Sequence, residues 1–288
     1  MAHDGSVLEA IKAAYEYNII DAILIGDKDK IIEESGKIGL NALNFEIIDE
    51  KNPAFAAKKA VELVSLGYAD IVMKGFLETA IFLKAILNKE TGIKKFDLLS
   101  HVAVFELPDL DRLIILTDAA MVMAPDLKEK LEIIKNALIV ANSLGIECAK
   151  IAPICAVEVV NFNMPCTLDA AILSKMSDRG QIKNCIIDGP LALDNALYKE
   201  ATLHKKIKSE VAGCADILLA PNIETGNAIY KSFAFTSRAK NSGILIGASA
   251  PVVLTSRSDS YETKLYSIAL SILVSKTLGG LYVQDTFN

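Results

Sequence analysis

Leu218-Leu219-Ala220-Pro221-Asn222-Ile223-Glu224-Thr225-Gly226-Asn227-Ala228-Ile229-Tyr230-Lys231 joins a short apolar run to a polar turn and then to a segment of helical period. An apolar run that stops at Pro and Asn reads as a strand buried on both faces, and the segment after it reads as the helix that covers it. The same unit recurs along the chain. Ile19 to Ile25 is expected as a strand followed by a helix from Asp27, and Phe45 to Ile48 as a strand followed by a helix from Pro53 to about Leu66. Ala69 to Met73 is expected to enter a turn at Lys74-Gly75, with a helix running to about Asn88. Further strands are expected near Ile151, at Cys185 to Asp188, at Ile217 to Leu219 and at Ile244 to Ile246. His101 to Phe105 and Leu113 to Leu116 flank the polar turn Pro108-Asp109-Leu110-Asp111 and predict an antiparallel hairpin. Asp126 to Leu144 sets Leu127, Leu131, Ile134 and Leu138 on one face of a helix. Strands alternating with helices define the α/β class, a largely parallel sheet covered by helices. Domain boundaries are expected near Pro125 and Pro251, giving one α/β domain from residues 1–125 with 251–288 and a second from 126–250.

The 288 residues suffice for two cores that need no covalent staples. A hydrophobic fraction of 52% with 23% charged residues excludes a disordered chain. Trp is absent, and 30 Lys and Arg face 36 Asp and Glu, so nucleic-acid binding is excluded as the main task. The five cysteines, Cys148, Cys155, Cys166, Cys185 and Cys214, are odd in number and form no C-x-x-C pair, which points to a reducing cytoplasmic setting. The start, Met1-Ala2-His3-Asp4-Gly5, lacks the basic-then-apolar layout of a signal peptide. The uncharged stretch from Asn241 to Ser256 is broken by Gly243, Gly247 and Pro251, so no membrane span is expected.

Familiar cofactor loops are missing. No strand is followed by G-x-G-x-x-G, and no Walker A sequence occurs. Gly247-Ala248-Ser249-Ala250-Pro251 resembles a nucleophile elbow only in part, and His3, His101 and His204 all precede Ser249, so the hydrolase order of Ser, acid, His is not met. Isolated histidines and scattered cysteines give no zinc spacing, and no metal is expected. No cysteine has a recognisable activating neighbour. His101 sits in an apolar strand pattern and reads as structural, and His204, among Lys205, Lys206 and Lys208, reads as solvated.

Strand ends in α/β sheets gather ligands where helix N-termini offer free N–H groups. Four strand ends here carry suitable residues: Met73 to Thr79, Ile187 to Asn195, Leu218 to Lys231, and Val252 to Lys264, where a β-branched run meets the polar cluster Thr255-Ser256-Arg257-Ser258-Asp259-Ser260-Tyr261-Glu262-Thr263-Lys264. For a helix that begins near Thr225, Asn227 and Lys231 share a face and converge on one anion at the helix start, unless Lys231 is a solvated surface lysine. Arginine is scarce, and Arg257 beside hydroxyls suits bidentate phosphate binding. With Asp259 as N-cap, Glu262 falls at N3 and predicts a capping-box pair. Asp118 and Asp188 end strands, where turn formation explains them nearly as well as chemistry does.

Over most of its length the sequence resembles the phosphate acyltransferase family, which comprises phosphate acetyltransferases and phosphate butyryltransferases. Pro221-Asn222-Ile223-Glu224-Thr225-Gly226-Asn227-Ala228-Ile229-Tyr230-Lys231 is close to the family pattern P-D-x-x-x-G-N-x-x-Y-K, and Thr255-Ser256-Arg257 is close to its Ser-Arg pair. Leu99 to Glu106, Leu116 to Ala120, Ser174 to Gln181 and Asp188 to Asn195 look more like the butyryl branch than the acetyl one. The resemblance implies two α/β domains flanking a cleft, similar to the isocitrate and isopropylmalate dehydrogenases, and a homodimer or larger homo-oligomer. It implies transfer of an acyl group between coenzyme A and inorganic phosphate, with acyl-CoA, phosphate and acyl phosphate as ligands, no metal or bound cofactor, and an acyl kinase as pathway partner. By resemblance, Ser256 stabilises the transition state and Arg257 holds the phosphoryl group. Lys84 stands where acetyl-type members carry an anion-binding Arg. The carboxylate that those members carry six residues after the Arg is Thr263 here, which leaves Glu262, Asp259 or solvent to take the thiol proton, with Glu262 first among them. Lys74, Asp188, Asn227 and Lys231 complete the expected substrate-binding set. An acetyl preference, a dehydrogenase of the same fold and a non-catalytic CoA-binding protein are the alternatives.

Overall fold

The computed structural model describes residues 1–256 and 259–281, the side chains of 280 and 281 apart. The fold is mixed α/β, and contacts divide the chain into two compact units, Met1–Asp97 with Ser242–Asn288, and Leu98–Asn241.

The first unit opens with helix α1 (Gly5–Glu16), which the sequence reading passed over; the Asp4 side chain caps it by accepting from the Val7 N–H. Strand β1 (Ile23–Gly26) leads into helix α2 (Lys28–Lys37), and strand β2 (Glu46–Asp49) pairs in parallel with β1. Helix α3 (Pro53–Ser65) starts at a proline with the Asn52 side chain as cap, as the sequence predicts. Strand β3 (Val72–Met73) turns into helix α4 (Thr79–Ile86). The expected strands at 19–25 and 69–73 are thus shortened to their last residues, because the segments before them run as turns that bring the chain back from α1 and α3.

The second unit begins with strands β4 (Ser100–Glu106) and β5 (Leu113–Thr117), the expected antiparallel hairpin. Helix α5 (Leu127–Ser143) is closed by a capping box between Asp126 and Glu129. Strand β6 (Ala149–Pro153), helix α6 (Pro165–Asp178), strand β7 (Cys185–Ile187), the short helices α7 (Leu193–Leu197) and α8 (Lys199–Lys205), strand β8 (Ile217–Leu219) and helix α9 (Ile223–Thr236) follow. The strand order is β4-β5-β8-β6-β7, with β5, β8, β6 and β7 parallel. Phe105 lies in its core, edge-on to Tyr230 and Phe233 at 5.4 and 5.3 Å. The Tyr230 hydroxyl accepts a hydrogen bond from Asn241 at 2.8 Å.

Strand β9 (Lys240–Ile246) begins at the boundary between the units. In the first unit, strand β10 (Val252–Val253) pairs antiparallel with β9 and parallel with β3. Helix α10 (Tyr261–Leu281) packs Leu265, Ile268 and Ile272 against Ala10 and Ala14 of α1. The hairpin belongs to the second unit, not the first as a boundary at Pro125 would have it, because β5 hydrogen-bonds along its length to β8.

Candidate active site

In the first unit the parallel strands β3 and β10 end side by side, and the Lys74 N–H donates to the Val253 carbonyl at 2.9 Å. This brings the Lys74 turn and the Ser256 loop to one carboxyl edge, the place where open α/β sheets bind ligands. Lys74 is only 6% exposed, and its ammonium donates to the carbonyls of Gly75 and Leu77 at 3.4 and 3.3 Å. A cavity of about 380 Å³ opens beside this turn, lined by Met1, His3, Lys30, Lys51, Phe76 and Glu78 among others. Burial holds the His3 imidazole below its ordinary range, and the chain's amino terminus adds to the effect. Lys84 is exposed in the last turn of α4, away from the helix start.

After β10, Ser256 and Asp259 are tied to each other. Thr255 is buried and Ser256 exposed; the Ser256 N–H donates to the Asp259 carboxylate at 2.7 Å, and the Asp259 N–H returns to the Ser256 carbonyl at 3.2 Å. Arg257 lies outside the described residues. The expected capping box is not what forms. Ser260 is the N-cap of α10, its hydroxyl accepting from the Thr263 N–H and its carbonyl from the Lys264 N–H, so Glu262 stands at N2. Asp259 is one residue too early because its carboxylate is already committed to Ser256. Donation from the Ser260 hydroxyl, then from its own backbone N–H, holds the Glu262 carboxyl below its ordinary range. Lys264, the last residue of the fourth strand-end segment and one to which the sequence assigns no role, is 2% exposed and donates to the carbonyls of Asp259 and Ser256. The signal was its spacing, since Lys264 stands three, four and seven residues from buried Ser267, Ile268 and Ser271.

In the second unit the carboxyl ends of β5, β8, β6 and β7 are stitched together: the Ala220 N–H donates to the Thr117 carbonyl, Ile154 to Leu219, and Leu191 to Pro153. Asp188 is half-buried at the end of β7, its N–H donating to the Ile151 carbonyl. Asp118 is buried, and its carboxylate accepts three backbone N–H groups, from His101, Ala120 and Met121, at 2.9, 2.7 and 2.8 Å. That carboxylate folds the turn after β5. His101 is buried and packs edge-on to Tyr230 at 5.9 Å, a structural placement.

Helix α9 starts at Ile223 with Asn222 as cap, two residues before the expected Thr225, because the Asn222 side chain accepts from the Thr225 N–H. Asn227 is therefore past the first turn. Its amide donates to the Ala119 carbonyl at 3.1 Å, tying α9 to the Asp118 turn. Gly226 permits that approach: a Cβ there would meet the Asp118 carbonyl oxygen at 2.2 Å. Lys231 is half-buried, with its ammonium 5.2 Å from the Phe235 ring centre and 5.6 Å from that of Tyr230. Asn227 and Lys231 share a face as expected, but they point to different partners and do not converge on the helix start.

Burial pushes the Cys155 thiol up to about 12, with Cys166 adding to the shift, and burial likewise pushes Cys185 up to about 12. Such thiols stay protonated and are poor nucleophiles. Among the described residues no cluster of three or more His, Cys, Asp or Glu has the makings of a metal site, and no helix is long and apolar enough to cross a membrane.

Glycine and proline turns, hydroxyls and lysines thus stand at the carboxyl ends of parallel strands, where α/β proteins gather ligands. Residues 55–272 match the family described as Phosphate acetyl/butaryl transferase, and the chain belongs to that family. It is 58% identical over 275 residues to the phosphate butyryltransferase of Clostridium acetobutylicum, covering 96% of this chain and 91% of that one. It is 44% identical over 270 residues to the phosphate acetyltransferase of Thermotoga maritima, covering 94% and 92%. Among solved structures, the branched-chain phosphotransacylase from Enterococcus faecalis superposes with a TM-score of 0.85 at 34% identity, covering 94% of this chain and 96% of that one.

Proposed function

We propose that the protein is an acyltransferase that moves a short acyl group, butyryl in preference to acetyl, from coenzyme A to inorganic phosphate: butyryl-CoA and phosphate give butyryl phosphate and CoA. The observation that carries the reading is identity of 58% to a phosphate butyryltransferase across 96% of the chain, against 44% to a phosphate acetyltransferase. A phosphate oxygen attacks the thioester carbonyl, the tetrahedral oxyanion collapses, and the C–S bond breaks to leave CoA thiolate, which takes up a proton. Both substrates are held at once, so the gain comes from orientation and from donors aimed at the oxyanion. Ser256 is the proposed oxyanion donor and Arg257 the phosphate fork, with Lys74, Lys84, Asn227, Lys231 and Asp188 as the wider binding set. Lys74 and Ser256 follow the paired strands β3 and β10 at the same end of the sheet, which supports placing both in the site. The buried, high-pKa cysteines support direct transfer without an acyl-enzyme.

Glu262 is the proposed proton acceptor for the reverse direction. The same proposal includes an architecture of the isocitrate and isopropylmalate dehydrogenase type, a homo-oligomeric state, a cytoplasmic location, an acyl kinase as consumer of the acyl phosphate, and turnover without a bound cofactor. Initial rates with acetyl-, propionyl-, butyryl-, valeryl- and isobutyryl-CoA test it, phosphate being the acceptor. The highest kcat/KM is expected with butyryl-CoA. A clear preference for acetyl-CoA would move the protein to the acetyl branch, and CoA release independent of phosphate would overturn the reaction.

A further inference from the structure

Lys264 has a place that its residue type rarely takes. Lysine is among the side chains least often fully buried, and an ammonium removed from water needs hydrogen-bond acceptors to replace it. Lys264 projects from the first turn of α10 at 2% exposure, on the stripe that also carries Ser267, Ile268 and Ser271. Its ammonium donates to the Asp259 carbonyl at 2.5 Å and to the Ser256 carbonyl at 3.4 Å. Both acceptors belong to the same short loop. The Ser256 carbonyl also receives the Asp259 N–H, and the Asp259 carboxylate receives the Ser256 N–H, so four ties hold Ser256 and Asp259, two between them and two from Lys264 as the anchor to the helix.

We propose that Lys264 is a positioning residue for acyl transfer, a buried cation that fixes Ser256 and Asp259 against α10 so that the Ser256 hydroxyl is held where the oxyanion develops. The inference rests on the reading of Ser256 given above and adds the device that holds it. Removing the ammonium takes its donor from the Asp259 carbonyl and leaves the Ser256 carbonyl with the Asp259 N–H alone, so that Ser256 and Asp259 are free to shift against α10. A misplacement of about 1 Å at a reacting group costs on the order of 10² in rate. The loss is expected in kcat rather than in acyl-CoA binding, because Lys264 acts by orienting Ser256 and is itself buried.

The test uses the full chain and its variants Lys264→Met, Lys264→Arg and Ser256→Ala. Phosphate-dependent CoA release from butyryl-CoA gives kcat and KM, and amide hydrogen exchange over residues 254–260 reports the loop. For Lys264→Met, kcat is expected to fall by about 10² while the KM for butyryl-CoA changes by less than about threefold. The Ser256 and Asp259 amides are expected to exchange faster, and those of β9 unchanged. Lys264→Arg, which keeps charge and donors, is expected to recover part of both. A folded Lys264→Met with wild-type kcat, or with lowered kcat and unchanged loop exchange, overturns the proposal. Should Lys264→Met not fold, Lys264→Arg carries the test: loop exchange and kcat must change together, and a change in one alone overturns it. Ser256→Ala at the wild-type rate would remove the reading of Ser256, an outcome separate from the coupling between Lys264 and the loop.

Discussion

Gly226 is the position at which the family signature turns into a measurable quantity. A methyl group placed there meets the Asp118 carbonyl oxygen at 2.2 Å, with the Ala119 Cα and the Ala220 Cβ each at 3.1 Å, whereas ordinary contact begins at 3.4 Å. The obstacle is backbone, so no side-chain rotation relieves it, and α9 must retreat from the Asp118 turn by roughly 1 Å. That retreat breaks the 3.1 Å bond from the Asn227 amide to the Ala119 carbonyl. Overpacking costs about 1–3 kcal/mol and the lost hydrogen bond about 1 kcal/mol, while alanine recovers about 1 kcal/mol of helix propensity over glycine. The net expectation for Gly226→Ala is a loss of about 1–3 kcal/mol, a fall in Tm of roughly 3–10 °C for a chain of this size. Turnover should drop by about 10² if the turn after β5 borders the reacting groups. Gly36→Ala is the control, since a Cβ at Gly36 meets nothing within 4 Å and the change should be neutral or slightly stabilising. Thermal unfolding followed by circular dichroism, together with phosphate-dependent CoA release, measures both. A Gly226→Ala variant with the Tm and turnover of the parent would show that the turn yields easily and that the glycine is not required by this contact.

Asn227→Ala should cost about 1 kcal/mol through loss of its bond to Ala119, and Lys231→Ala about 0.5–1 kcal/mol through loss of its aromatic contacts, with additive effects in the double variant because the two side chains have different partners. Denaturant unfolding checks this, and a coupling well above 0.5 kcal/mol would restore the shared-anion arrangement. Glu262→Gln should lower turnover in the direction of acyl phosphate plus CoA by about 10² to 10⁴ through loss of the proposed proton acceptor; turnover within about threefold of the parent would shift that role to Asp259 or solvent. Because the folded carboxyl titrates lower than the unfolded one, its small stabilising effect is present above the unfolded pKa and is lost as pH falls through the folded value, so the variant's stability should differ from the parent's only above that range. At pH 8, a thiol reagent should label exposed Cys148 and leave Cys155 and Cys185 unmodified in the native protein, as mass spectrometry of the labelled peptides would show. Burial raises both thiols, so their contribution to stability is intact below about pH 8.5 and is lost as pH rises from there toward about 12.

The alternation of apolar runs with helical period was enough to place the antiparallel hairpin, the capped helix α5 and the parallel strands of the second unit, since a strand buried on both faces writes its burial directly into its composition. The four turns at strand ends were legible for the same reason, and the family motifs within them named the chemistry. Short strands were overread, because apolar residues in the turns before β1 and β3 look locally like strand residues. What the sequence alone determined was the class of fold and the family, together with the segments proposed to carry the site. Tertiary structure decided the rest: that the hairpin joins the second unit, that Ser260 and not Asp259 caps α10, that Asn227 and Lys231 diverge, and that Lys264 is a buried anchor. Each of these turns on which of several nearby donors reaches an acceptor first. That competition is settled by distances across the fold, which the order of residues along the chain does not contain.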